Sequence, residues 1–243
     1  RNTSADIRCL TLDLSSLAAV RKAAAQVNAY PEPIHVLINN AAAAIDPYKV
    51  TVDGRESQIA TDHVGAFLLT NLISRRLLAA KTATYTPRVV VLTSFFHSNA
   101  QGLDFAQMQR PDAGKYDAFG AYNEAKSANV LFAAELSRRA AGKINAYSVS
   151  PDAIFTKIQQ KPDSFDAFHG IIEADGQPNL KIFTWKTLGQ GPATTPALMI
   201  DKPGSYLHDP NIAPTEGPNA ADPPLAKELW SVIEKIVGEQ FNI

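Results

Sequence analysis

The stretch AYNEAKSANVLFAAEL, Ala121 to Leu136, places a tyrosine and a lysine four residues apart on what reads as one helix. Tyr122 and Lys126 then share a helical face. A phenol with a pKa of about 10 is a poor proton donor or acceptor at neutral pH, and an ammonium within a few ångströms favours its phenolate. Tyr122 is therefore a candidate general acid/base. Ala125, Ala128 and Ala133 keep the helix slim enough for a flat ligand or a second helix to come close. A Tyr-x-x-x-Lys spacing also arises by chance, so its surroundings must decide its meaning.

Three apolar runs surround it: HVLINNAAA (His35 to Ala43), RVVVLTS (Arg88 to Ser94) and INAYSVSPDAIFT (Ile144 to Thr156). Each closes on small polar residues or on Ser-Pro. Read as buried parallel strands separated by helices, they bring their ends to one edge of a sheet, where ligands bind. A fourth run, RCLTLDLSS (Arg8 to Ser16), reads as a strand that stops where Asp13, Ser15 and Ser16 can cap the next helix, Leu17 to about Asn28. Ile59, Phe67, Leu68, Leu72, Ile73 and Leu77 mark a long helix over Ser57 to Ala80. TLGQGPATTPALMI predicts one further helix and GSYLHDPNIAP a short last strand. PPLAKELWSVIEKIVGEQF predicts a closing amphipathic helix with Pro at its start. The fold class is α/β, a doubly wound parallel sheet of Rossmann type.

With 243 residues, 45% hydrophobic and 19% charged, the chain fits one domain over 1–243. A net charge of -1 and a pI near 6.6 argue against a nucleic-acid or anionic-membrane partner. One cysteine, Cys9, excludes an internal disulfide and fits a reducing, cytoplasmic compartment; its apolar setting predicts a buried thiol. No apolar run approaches the roughly 18 residues of a membrane span, and no metal-ligand cluster stands out. His63 and His97 read as structural or surface residues.

In order and spacing these motifs resemble the short-chain dehydrogenase/reductase family, most closely its retinol dehydrogenase-like branch. The resemblance covers nearly the whole chain, including KTLGQGPATT, GSYLHD and DPPLAKELW. It implies an NAD(P)-dependent oxidoreductase that moves a hydride between nicotinamide and the carbonyl or alcohol of an apolar small molecule. By resemblance Tyr122 exchanges the proton, Lys126 lowers its pKa and holds the ribose hydroxyls, and Ser94 orients the carbonyl. Asp13 matches the residue at the adenine end of the cofactor, although it also serves as an ordinary cap-region acid. Asn40 and Ala41 match an Asn-Asn-Ala-Gly motif, and Pro151 and Thr156 match residues that meet the nicotinamide amide. The family often dimerises through its two long helices, here Ser57 to Ala80 and Ala121 to Ala140.

Four departures accompany the resemblance. Ala42 and Asp152 stand where the family has Gly, and Asp62, in TDHVG, stands where it has an Asn that holds a proton-relay water. Asp62, if ionised, puts a negative charge near Lys126. The glycine-rich turn that cradles a pyrophosphate is absent. The reading is therefore of a domain lacking the family's first two strands, with weak binding of NADP or NAD expected, and of a truncated, catalytically impaired homologue as its alternative. The loop Phe95 to Gly120 and the aromatic-rich segment Lys157 to Leu188, with Phe155 just before it and Phe165, Phe168, Phe183 and Trp185 within, predict an apolar substrate lid.

Overall fold

Valine-rich strands and an alanine-rich helix laid across them set the architecture of the computed structural model, which describes residues 6–160, 168, 170–191, 202–208, 211–213 and 222–243. The helices are α1 (Leu17–Ala29), α2 (Ser57–Ile59), α3 (Gly65–Leu72), α4 (Ser74–Leu78), α5 (Phe105–Gln109), α6 (Ala118–Ala140) and α7 (Pro223–Val237). The strands are β1 (Val36–Asn39), β2 (Arg88–Leu92), β3 (Asn145–Ser150), β4 (Tyr206–His208) and β5 (Asn211–Ile212). They form one sheet in the order β1-β2-β3-β4-β5. The first four run parallel, with Val36 opposite Arg88, Arg88 opposite Asn145 and Ser148 opposite Tyr206; β5 returns antiparallel, Ile212 opposite Leu207. The α/β sheet read from the apolar runs is present, and it carries the strand ends to one edge.

Alternation along the strands divides the core. Val89, Val91 and Ala146 pack with α3, α6 and α7 through Phe67, Leu68, Phe132, Leu136, Trp230 and Ile233. Val90, Tyr147, Val149 and Leu207 form a second apolar cluster. Helix ends follow local chemistry. Asp117 caps α6 by accepting the Gly120 N–H at 2.7 Å, and α6 closes at Ala141 in the left-handed region, φ 47°. Asp222 caps α7, Pro223 sits in its first turn, and Gly238 ends it at φ 71°.

Three expectations are corrected. Arg8 to Leu14 is not a strand: it is irregular, largely exposed, and hydrogen-bonds to no strand among the described residues. Apolar alternation makes a strand only where a neighbour supplies a ladder. For the same reason Cys9 is exposed rather than buried. The long helix over Ser57 to Ala80 is broken, because a π-helical turn occupies Ala60–Val64 and Ile73, at φ −99° and ψ 6°, separates α3 from α4. Just before that break, Thr70 donates its hydroxyl to the Ala66 carbonyl at 2.7 Å and Asn71 donates to the Phe67 carbonyl at 2.9 Å, the kind of local bond that bends a helix. The last strand is the β4–β5 pair. Residues 192–200 of the further predicted helix, and Phe165, lie outside the described residues.

Gly65 marks the closest approach in this part of the fold. A Cβ built there would lie 2.2 Å from the Leu14 carbonyl oxygen and 3.0 Å from the Leu14 carbonyl carbon. Backbone cannot give way as a flexible side chain can. Gly65→Ala is therefore expected to lower the melting temperature by about 2–10 °C, the range for an overpacking cost of about 1–3 kcal/mol in a chain of this size. Thermal unfolding followed by circular dichroism checks this.

Candidate active site

Helix α6 lies close on β2 and β3 because Ala125, Ala128 and Ala133 present only methyl groups. Polar side chains then stitch helix to strand. Thr93 donates its hydroxyl to the Lys126 carbonyl at 2.7 Å, Asn129 donates to the Leu92 carbonyl at 3.1 Å, and the Ser137 hydroxyl bonds both the carbonyl and the N–H of Ala146. The helix is thereby held at the ends of the strands, with Tyr122 one turn before Lys126.

Lys126 is 3% exposed and its ammonium pairs with the Asp62 carboxylate at 2.8 Å. The second Asp62 oxygen accepts the Ala43 N–H at 2.6 Å. Asp62 sits in the π-helical turn, whose extra residue re-aims its side chains. Burial pulls the Lys126 pKa down, but Asp62 and Tyr122 more than reverse this and hold it above the ordinary lysine value. Burial also pushes the Asp62 carboxyl up, against the pull of Lys126 and of the Ala43 N–H. The Lys126 ammonium stands 5.1 Å from the centre of the Tyr122 ring, over its face.

In front of this pair opens a cavity of about 310 Å³ whose walls bring Asn40, Ser94, Tyr122, Pro151 and Thr156 together. Its polar lining includes Asn40, Ser94, Asp152, Thr156 and Gln159, and Phe95, Phe96, Phe183 and Trp185, whose rings contact one another, form an aromatic wall. Ser94 accepts the Phe96 N–H at 3.3 Å, which leaves its own proton to donate. Thr156 donates to Gln159 at 3.0 Å. Ala41 and Asp13 do not line this cavity. Ala41 is exposed after β1, and the Asp13 carboxylate accepts the Ser15 N–H and hydroxyl at 2.9 and 2.7 Å, which hold its pKa down.

Asp152 occupies the left-handed region at φ 68°, as a residue in a glycine's place must. Its carboxylate is paired with Lys186 Nζ at 2.7 Å and His208 Nε2 at 2.5 Å. Burial raises its pKa, but these partners outweigh burial and hold it below the ordinary carboxylate range. No sequence spacing links positions 152, 186 and 208, so sequence reasoning missed both partners. His63 and His97 are buried and structural: His63 Nδ1 lies 3.0 Å from Asn129 Oδ1, and His97 Nδ1 2.7 Å from the Ser94 carbonyl.

No family model matches the chain. It is 34% identical over 245 residues to short-chain dehydrogenase TIC 32 A of Brassica napus, a match that covers 96% of this chain and 73% of that protein. Mouse retinol dehydrogenase 13 is 31% identical, over 96% of this chain and 68% of its own. The chain belongs to the short-chain dehydrogenase/reductase family. Among solved structures of this family's fold, an uncharacterized protein from Mycobacterium paratuberculosis superposes with a TM-score of 0.69 at 26% identity, covering 96% of this chain and 76% of that one. A 3-alpha-hydroxysteroid dehydrogenase from Pseudomonas, solved with NADH, gives 0.61 at 17% identity, over 82% and 80% of the two chains, a likeness of fold alone. The parallel sheet is thus the fold of this family, and on it this chain carries the Asp62–Lys126 and Asp152–Lys186–His208 contacts.

Two outcomes follow from the buried charges. Asp62→Asn removes the charge that raises the Lys126 pKa, so the basic limb of a pH–rate profile is expected to move to lower pH. The same change leaves the Ala43 N–H or the ammonium short of an acceptor and is expected to cost about 1–3 kcal/mol of stability, measured by denaturant unfolding. A stationary basic limb would detach Asp62 from the proton chemistry. His63 is fully buried and its pKa is lowered from 6.5 to about 4. The unfolded chain therefore binds a proton below pH 6.5 that the folded chain refuses, and stability falls as pH drops from about 6.5 towards 4, by roughly 3 kcal/mol in total. In His63→Gln the slope of unfolding free energy against pH should flatten across that window.

Proposed function

We propose that the chain is an NAD(P)-dependent oxidoreductase acting on the carbonyl or alcohol of an apolar small molecule. The observation that carries this reading is a single cavity in which Ser94 and Tyr122 face an aromatic wall, while Lys126 stands buried behind the Tyr122 ring. The polar wall suits a nicotinamide. Asn40, Thr156 and Gln159 provide the donors and acceptors a carboxamide requires, beside the backbone of Pro151. Held there by these residues, a nicotinamide would supply or accept the hydride.

The chain's own residues do the rest. Ser94 hydrogen-bonds the carbonyl oxygen through its hydroxyl, keeping its own proton, and fixes that oxygen beside Tyr122. In reduction Tyr122 releases its phenolic proton to that oxygen as the carbonyl carbon gains hydride; in oxidation it takes the alcohol proton back. Lys126 stabilises the phenolate left on Tyr122 after proton release, and Asp62 keeps Lys126 protonated and in place. Phe95, Phe96, Phe183 and Trp185 exclude water from the reacting carbonyl and offer no charge to a polar substrate. The relatives named retinol dehydrogenase support an apolar substrate of this kind.

The test is Tyr122→Phe, which removes the proton carrier and leaves the ring in place. Assayed with NADH and NADPH against apolar aldehydes, turnover is expected to fall by about 10²- to 10⁴-fold with the melting temperature unchanged. Retention of more than about a tenth of the turnover would overturn the assignment.

A further inference from the structure

We propose that Asp152 anchors the aromatic wall of the cavity through Lys186, and that this anchor decides which substrates the cavity retains. The inference rests on the cavity being the substrate site. Asp152 holds a conformation, φ 68°, that glycine adopts freely and other residues seldom do. A side chain kept there against that preference needs interactions that offset it, and both carboxylate oxygens have them. Oδ2 meets Lys186 Nζ at 2.7 Å and Oδ1 meets His208 Nε2 at 2.5 Å. These side chains are only 19–35% exposed, so water screens them less than an open surface pair.

The three partners come from three places. Asp152 follows β3, His208 ends β4, and Lys186 follows directly on the aromatic wall. Lys186 is fixed a second time by its backbone: its N–H donates to the Ala153 carbonyl at 2.8 Å, and it bridges Ile154 in parallel. Upstream of it, Trp185 meets Phe155 with ring centres 6.1 Å apart, and Phe183 meets Phe95 at 5.4 Å. One carboxylate thus ties the wall to the rigid sheet. The proton chemistry at Ser94 and Tyr122 does not pass through it. Loss of the anchor should therefore weaken retention of an apolar ligand, raising KM while leaving kcat near its original value.

Asp152→Gly, Lys186→Met and the double variant, made in the full chain, test this. Glycine suits the backbone at 152, so the first variant releases the anchor without straining the turn. The chain's other tryptophan, Trp230, is 1% exposed and gives an unquenched background, so acrylamide quenching reports on Trp185. Each single variant should raise the quenchable fraction and weaken Nile red binding by about tenfold, the worth of a charge-assisted hydrogen bond, and the double variant should lose no more. Lys186→Arg should retain the original values. Unchanged quenching and unchanged Nile red affinity in both singles would overturn the proposal, and so would losses that multiply in the double variant. Because these readouts need no turnover, an active Tyr122→Phe enzyme would sink the oxidoreductase mechanism and leave the anchor standing, and a failed anchor would leave the mechanism intact.

Discussion

A buried ammonium is the constraint from which the site is built. Taking Lys126 out of water costs several kcal/mol, and a partner must recover that cost at close range. Asp62 does so at 2.8 Å, and its second oxygen is committed to the Ala43 N–H. The pair therefore joins three segments: the π-helical turn before α3, the middle of α6 and the loop leaving β1. Each must be accurately placed for the charge to be tolerated at all. The alanines of α6 let it lie close to its neighbours, the Thr93 hydroxyl ties it to the end of β2, and the bare Cα of Gly65 lets the segment after the π-helical turn approach the Leu14 backbone.

Charge around the cavity is arranged in closed pairs. Lys126 is met by Asp62, and Asp152 by Lys186 and His208. Among the described residues, a ligand entering the cavity meets hydroxyls, amides, aliphatic groups and aromatic rings, and the one carboxylate in the lining, Asp152, is already paired. That lining suits the uncharged substrate with one polar group on which the proposed mechanism has Tyr122 and Ser94 act. The His63 side chain extends the same economy beneath the site: neutral and buried, it links the π-helical turn to Asn129, which in turn holds Leu92 of β2.

What the sequence determined by itself was whatever depends on neighbours along the chain. The strand cores at Val36–Asn39, Arg88–Leu92 and Asn145–Ser150 follow from continuous apolar runs closed by small polar residues, and the α6 and α7 helices and the placing of Tyr122 and Lys126 on one face from the period of 3.6 residues and local caps. Family resemblance added the grouping of Asn40, Ser94, Tyr122, Pro151 and Thr156, which line one cavity in the fold, while Ala41 and Asp13, grouped with them, do not line it. Only tertiary structure decided the rest. Arg8 to Leu14 has strand-like alternation yet stays irregular, and Cys9 stays exposed, because a strand is completed by hydrogen bonds from another segment. Asp152 looked like a stray charge in a glycine's place until Lys186 and His208 came to meet it. Such partners, separated by 34 and 56 residues, are chosen by where the chain crosses itself, and no local pattern records that.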